Sequence, residues 1–410
     1  MNDGKIEFTA TEWSALGAES GVAALLDNLA LWGASDLFLL SDERQVNVSM
    51  RRLGTIRQLA TLESDQGRRY IAHIKALAGM DVADHRHPLD GRWVRRLPDG
   101  QMLDMRINTI STLHGEDVAI KLLRRNSALL DLEALGLLRP QFNHLIGLLG
   151  RPSGLLLVTG PTGSGKTTTL YAALHRLNDG TRKINTIEDP VEYSMPGVRQ
   201  SQVNLKVNVD FPDLLRSVLR QSPDVILIGE IRDPITAQTA VRAANSGHLV
   251  CATLHAPRAV GAIQSMLNLG VNPHFLASSL LGAVAQRLVR TLCPACKVAL
   301  EIPEGAPAFD EVRPWIAADE GQAMHTASGC DECRQCGYTG RTGIFEVLPL
   351  SRETRALVSE GRPAAEIEAV ALREGVIDFR RSAMVKVAQG QTNIEEVLRV
   401  VPVEQLGLEE

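Results

Sequence analysis

Apolar positions along the chain follow two rhythms that change from zone to zone. A helical spacing over Val22–Leu31 precedes alternating, strand-like Asp36–Leu40 and Val46–Met50. Tyr70–Ala78 again reads as a helix, and Met102–Asn108 and Asp117–Leu123 as strands. Residues Gly21 to about Arg125 therefore predict a mixed α/β zone, with residues 1–18 ahead of it as a tail. From about residue 130 to 292 helical stretches alternate with short, wholly apolar runs such as Leu155–Val158, Val225–Ile228 and Leu249–Ala252. That alternation predicts a parallel sheet covered by helices. Beyond residue 293 the pattern predicts a cysteine-bearing segment and then helices to the end.

The run Leu155–Thr159 enters the glycine-rich turn Gly160-Pro161-Thr162-Gly163-Ser164-Gly165-Lys166-Thr167-Thr168, after which a helical pattern resumes. Strand, turn and helix in this order define a P-loop. Its backbone N–H groups cradle phosphates, and the helix presents its positive end to them. Residues Gly160 to Thr168 are the predicted nucleotide-binding set, with Lys166 reaching the β- and γ-phosphates and Thr167 ligating Mg²⁺. ATP and Mg²⁺ are the expected ligands.

Composition narrows what that nucleotide drives. The 410-residue chain has room for two to three domains, and its 44% hydrophobic and 22% charged residues are those of a globular protein. A net charge of −5, with 4% aromatic residues and no basic tract, argues against a surface that tracks a nucleic-acid backbone. No apolar stretch approaches 18 residues, and Met1–Phe8 lacks the basic-then-apolar layout of a signal peptide.

Three further segments carry candidate chemistry. Asp224–Glu230 is an apolar strand that ends in an acid, suited to water polarisation or indirect Mg²⁺ coordination beside a P-loop. Thr186–Tyr193 places Glu188, Asp189 and Glu192 in five positions after a short strand, a cluster that also fits a solvated loop. Gly247–His255 is a third strand with a histidine at its end, a type more often structural than catalytic. Five of six cysteines fall in one window: Cys293, Cys296, Cys330, Cys333 and Cys336. Two Cys-x-x-Cys pairs 33 residues apart present four thiolates for Zn²⁺, and spacing alone leaves Cys333–Cys336 as an equal alternative to Cys330–Cys333.

In order and spacing, Gly160–Thr167, Thr186–Tyr193, Ser222–Asp233 and Thr253–His255 resemble the Walker A, aspartate-box, Walker B and histidine-box motifs of the secretion ATPase superfamily. Its members power type II secretion and type IV pilus assembly. The tracts Gln286–Cys296, Gly329–Cys333 and Gly337–Ile344 are also similar to that family, so the resemblance runs from about residue 20 to 403. It implies a RecA-like P-loop ATPase core at 129–292, a small PAS-like α/β domain at 19–128, an inserted tetracysteine zinc module at 293–341 and a helical C-terminal part at 342–410. It also implies that Glu188 activates water with support from Glu192, that Glu230 acts near the metal, and that His255 couples γ-phosphate state to domain position.

The same resemblance favours Cys293, Cys296, Cys330 and Cys333 as the zinc ligands, a module of assembly rather than retraction ATPases. It implies that Arg106 and Lys121 reach the nucleotide, with Lys121 standing where the family usually has arginine and Arg106 expected to matter more. Other departures are Ser222 for aspartate, Ile235 for an acid, and Ala256-Pro257 where a Thr-Asn pair is typical. The implied assembly is a homo-hexamer in the cytoplasm, held at the inner face of the inner membrane by a platform protein and without nucleic acid. The N-terminal docking domain of longer relatives is expected to be missing. The alternative weighed against this reading is a RecA-like nucleic-acid motor, a helicase or conjugative translocase.

Overall fold

A computed structural model describes residues 11–124, 131–302 and 309–406, which form two units, Met1–Asn126 and Ser127–Glu410. The expected boundary at 128/129 and most of the expected tail lie outside the described residues.

The first unit contains helices α1 (Thr11–Ser14), α2 (Ala18–Trp32) and α3 (Ser64–Leu77). Its strands are β1 (Asp36–Ser41), β2 (Gln45–Arg52), β3 (Thr55–Glu63), β4 (Leu89–Arg96), β5 (Met102–Thr112) and β6 (Gly115–Arg124). They form one antiparallel sheet in the order β3-β2-β1-β6-β5-β4. Alternate residues such as Leu37, Leu39, Val46, Val48, Met105, Ile107, Val118 and Ile120 face the helices, as a half-solvated antiparallel sheet requires. The tail reading needs correction from residue 11 onward. Trp13 is 1% exposed within this core, and its carbonyl accepts the Tyr70 hydroxyl at 2.8 Å. A bulky indole gains more by joining the core than by remaining in solvent.

The second unit contains α4 (Arg139–Leu149), α5 (Lys166–Leu177), α6 (Phe211–Leu219), α7 (Pro234–Asn245), α8 (Ala259–Asn268) and α9 (Pro273–Ser279). It ends with α10 (Arg352–Ser359), α11 (Ala364–Arg373), α12 (Phe379–Ala388) and α13 (Ile394–Val400). Its strands are β7 (Gly154–Thr159), β8 (Ile184–Glu188), β9 (Arg199–Gln202), β10 (Val225–Ile228), β11 (Leu249–Leu254), β12 (Leu280–Leu292), β13 (Val298–Glu301), β14 (Ala323–Thr326) and β15 (Tyr338–Pro349). The main sheet runs β15-β12-β7-β11-β10-β8-β9 and is parallel except for β15 against β12.

The wholly apolar runs are explained by burial on both faces. On β7, Leu155 and Leu157 join the core shared with α7 and α8, while Leu156 and Val158 join the core under α4 and α5. β10 and β11 divide their side chains in the same way.

One expectation about the C-terminal part is corrected. It is not purely helical, because β15 returns to the main sheet and pairs along nearly the whole of β12. The cysteine segment is therefore the connection between two paired strands, with β13 and β14 forming a small ribbon inside it. The glycine and threonine content of Tyr338–Gly343 had hidden this strand from a periodicity reading.

Candidate active site and metal site

β7 leads directly into the phosphate loop between β12 and β11. Gly160 has φ +147°, and a Cβ there would lie 2.5 Å from the Gln286 carbonyl and 2.7 Å from Ser164 Oγ. Only glycine allows β12 to approach the loop this closely. α5 starts at Lys166, so the unpaired N–H groups of its first turn belong to the loop. Lys166 Nζ donates to the carbonyls of Gly160 at 2.8 Å and Pro161 at 3.2 Å. Burial lowers the Lys166 pKa, the charge of Glu230 opposes that shift, and Arg287 adds to it. Pro161, Thr162, Gly163 and Thr167 are exposed, and Gly165 and Thr168 are half-buried. Ser164 Oγ and Gln286 Oε1 are buried without a hydrogen-bond partner among the described residues. The Ser164 hydroxyl is free to donate to a phosphate oxygen, which fits a polyphosphate cradle, whereas the Gln286 oxygen can only accept.

Glu230 lies just beyond β10. The turn that carries it is clamped on both sides: Gly229 N donates to Ile187 O at 2.7 Å, and Ile231 N to Thr253 O at 3.0 Å. Thr253 Oγ1 adds a 2.5 Å bond to the Gly229 carbonyl. A Cβ on Gly229 would stand 3.1 Å from Ile187 O, so the close approach of strands at this edge also favours glycine. The carboxylate pairs with His255 Nε2 at 3.0 Å and with Arg232 through its other oxygen. Arg232 reaches Asp189 as well, at 3.9 Å. Lys166, Glu230, Arg232, His255 and Asp189 thus form one charged group at the ends of adjacent strands, where open α/β sheets bind ligands.

Glu188 occupies a different place. It is 3% exposed, and its carboxylate accepts from the Tyr171 hydroxyl, from Thr186 Oγ1 at 2.5 Å and from Gln200 Nε2 at 3.2 Å. Burial and this carboxylate push the Tyr171 pKa far above its ordinary value, so the phenol is a fixed donor. The backbone N–H of Glu192 reaches the same hydroxyl at 3.3 Å. The acid segment is thus anchored on α5 and is not a solvated loop.

Three groups escaped the sequence reading of roles. Arg232 and the Gln286–Arg287 pair lie inside motifs already singled out, yet nothing in their spacing assigns them a partner. Gln286 Nε2 holds the Ser164 carbonyl at 2.7 Å, and Arg287 holds Pro257 O at 2.8 Å. Tyr171 reads in sequence as an ordinary core residue of a helix.

In the first unit Arg106 and Lys121 sit directly opposite each other on β5 and β6. Both lie on the sheet face away from the helices, Arg106 half-buried and Lys121 exposed. Like charges so paired are tolerated where solvent or an anion screens them.

The sulfur atoms of Cys293, Cys296, Cys330 and Cys333 all lie within 4.8 Å of one another. The separations 293–330, 296–333 and 330–333 are each 3.8 Å. A tetrahedral ion with metal–sulfur bonds of about 2.3 Å has sulfur–sulfur edges of about 3.8 Å, so this donor set fits Zn²⁺. Backbone N–H groups point at it from Gly329 to Cys296 at 3.3 Å, and from Cys330 and Gly337 to Cys333 at 3.2 and 3.1 Å. Burial works against the Cys333 thiolate, but these N–H groups together with hydrogen bonds from the Cys296 and Cys330 thiols outweigh it and draw its pKa down to about 6. Cys336 stands outside the cluster and donates its thiol to the Cys333 and Tyr338 carbonyls at 2.8 and 2.9 Å.

A phosphate loop on a mostly parallel sheet, with a lysine, an acid and a histidine gathered at neighbouring strand ends, defines a P-loop ATPase. Residues 18–399 match the family described as Type II/IV secretion system protein, and the chain belongs to that family. It is 42% identical over 379 residues to "Type II secretion system protein E" of Dickeya dadantii, which covers 92% of this chain and 74% of that one. It is 39% identical over 376 residues to "Type IV pilus assembly ATPase PilB" of Acinetobacter baylyi, covering 92% and 65%. Among solved structures, the Yersinia pseudotuberculosis ATPase DotB shares the fold with a TM-score of 0.71 at 18% identity, over 97% of this chain and 95% of that one. Among the described residues no helix is long and apolar enough to cross a membrane.

Proposed function

We propose that this chain is the cytoplasmic motor of a pilus- or pseudopilus-assembly machine. It works as a homo-hexamer at the inner face of the inner membrane, where it turns ATP hydrolysis into movement of a membrane platform protein. The observation that carries this reading is the gathering of Lys166, Glu230, Arg232 and His255 at one sheet edge in a chain that also holds the tetracysteine cluster.

In this reading the backbone from Gly160 to Thr168 and the Lys166 ammonium bind the polyphosphate, and Thr167 ligates Mg²⁺. Phosphoryl transfer needs positioning and charge stabilisation more than covalent chemistry, so acids and cations at fixed places suffice. Geometry favours Glu230 over Glu188 as the acid nearest the transferred phosphoryl group. Glu230 is the acid that couples to Lys166, whereas Glu188 is occupied by three side-chain donors. Glu188, with Glu192 beside it, then acts as a buried charge that sets the position of the segment. His255 reports the state of Glu230 to the loop that follows it. Arg106 and Lys121 complete the charge neutralisation from the N-terminal domain. Cys293, Cys296, Cys330 and Cys333 hold a structural Zn²⁺, since four thiolates leave no open position for catalysis.

The domain limits follow as 11–128, 129–292, 293–341 and 342–410, with β15 spanning the last limit to pair into the core sheet. The test is ATPase stimulation. Membranes containing the platform protein should raise turnover of the purified chain, and DNA should not. Stimulation by DNA alone would overturn this reading in favour of a nucleic-acid motor.

A further inference from the structure

Away from the phosphate loop, the start of α4, the turn Asp310–Trp315 of the cysteine-bearing segment and the end of α12 border an open cavity of about 780 Å³. That size falls within the range of about 300–1,000 Å³ typical of small-molecule sites. Its lining includes Arg139, His144 and Lys386 but no carboxylate among the described residues. One wall is apolar and aromatic, formed by Leu138, Trp315 and Ile316.

Lys386 is the unusual member. It is 5% exposed, and among the described residues its ammonium has neither a hydrogen-bond acceptor nor an acidic partner. A buried cation without a partner is costly, and proteins normally neutralise or pair it. Burial draws its pKa down to about 8, which still leaves it charged at neutral pH. The eleven-residue helix α4 begins at the same cavity, with Pro140 in its first turn, and adds the positive end of its dipole. The Lys386 ammonium and the α4 start therefore meet at one partly apolar space whose described lining holds no carboxylate, with Arg139 and His144 as exposed members of that lining.

We propose that this cavity binds a small aromatic organic anion, with its carboxylate, sulfonate or phosphate group on Lys386 and the α4 start and its ring against Trp315. The cavity is too large to be filled by a simple inorganic anion, and its aromatic wall supplies the contact that such an anion would leave unused. The bound molecule would bridge the cysteine-bearing segment to the ATPase core.

The test titrates the full chain with 8-anilinonaphthalene-1-sulfonate, followed by fluorescence, against the uncharged analogue N-phenyl-1-naphthylamine. The sulfonate should bind the wild type at least about tenfold more tightly than the analogue, and Lys386→Met should erase that preference. Equal binding of the two compounds to the wild type, or an unchanged preference in the variant, would overturn the proposal. A second measurement needs no substitution. Pyridoxal 5′-phosphate, with MgADP present to cover Lys166, should condense its aldehyde with the Lys386 amine, releasing water. Borohydride then reduces the imine to a stable amine for peptide mapping. Lys386 should be the most modified of the eight lysines, and the sulfonate should suppress that modification about tenfold. Absence of label at Lys386, or label that the sulfonate leaves unchanged, refutes the site.

Discussion

His255 Nε2 lies 3.0 Å from Glu230 Oε1, while the second oxygen of that carboxylate is held by Arg232. The acid is thereby oriented from two sides at the edge of the phosphate loop. Glu230→Gln keeps the shape and removes the charge. It should lower kcat by about 10²–10³-fold while the KM for ATP moves only a few-fold. His255→Ala, which removes the orienting contact, should cost about tenfold in kcat. Steady-state ATPase assays on both variants check this, and a wild-type kcat in Glu230→Gln would remove Glu230 from the chemistry.

Glu188 gives the opposite signature if its part is to hold the segment on α5. Tyr171→Phe deletes one donor and leaves the carboxylate buried, which should cost about 1–3 kcal/mol of stability. Its effect on kcat should be smaller than that of Glu230→Gln. Thermal unfolding read beside ATPase rates separates the two acids. A Glu188→Gln variant that folds normally and is as inactive as Glu230→Gln would return the water-activating task to Glu188.

Arg106 and Lys121 stand opposite each other on adjacent strands, so they present two cations from one patch. A guanidinium grips a phosphate with two parallel bonds, whereas an ammonium acts as a point charge. Arg106→Lys should therefore lower kcat more than Lys121→Gln does, and Lys121→Arg should raise kcat or leave it unchanged. ATPase assays at fixed protein concentration give the ranking. A greater loss in Lys121→Gln than in Arg106→Lys would reverse the assignment.

The parallel core was legible because strands buried on both faces leave continuous apolar runs such as Leu155–Val158 and Val225–Ile228. The P-loop was legible because its chemistry needs glycine at fixed spacing. β3 and β4 were missed because they flank the first sheet and carry polar residues on one face, so Thr55–Glu63 and Leu89–Arg96 lack a continuous apolar signal. β15 was missed because its N-terminal half is glycine and threonine beside the cysteines. Side-chain partners were the least legible. That Glu188 pairs with Tyr171 across 17 residues, or that Gln286 holds Ser164 across 122, is decided by sheet order and leaves no local pattern.

The cysteine cluster and the phosphate loop should fail independently. Cys333→Ser should release the metal and lower thermal stability, because structural zinc contributes folding free energy directly. Cys336→Ser, outside the cluster, should keep a full complement of about one zinc per chain by elemental analysis. Lys166→Ala should abolish ATPase activity and retain the zinc. Loss of zinc from the Lys166 variant would mean that the two sites are not separate.

Acid stability should be governed in part by Glu396, which is 1% exposed and joined by Arg290 and Arg399 at 2.7 Å each. Burial opposes its charge, but these bonds outweigh burial and hold its carboxyl below the usual glutamate range. A depressed folded-state pKa stabilises the fold above the unfolded value of about 4.3, and that contribution is lost as pH falls through the folded value. Glu396→Gln at pH 7 strips the charge from between two arginines and should cost about 3 kcal/mol, or several degrees in Tm. Because protonated glutamate resembles glutamine, the gap between wild type and variant should stay constant from about pH 7 to 5 and narrow progressively below about pH 4 as the carboxylate protonates. Thermal melts across that range measure it. A gap that does not narrow between pH 5 and pH 3 would mean that packing of the side chain, and not its charge, ties α13 to β12.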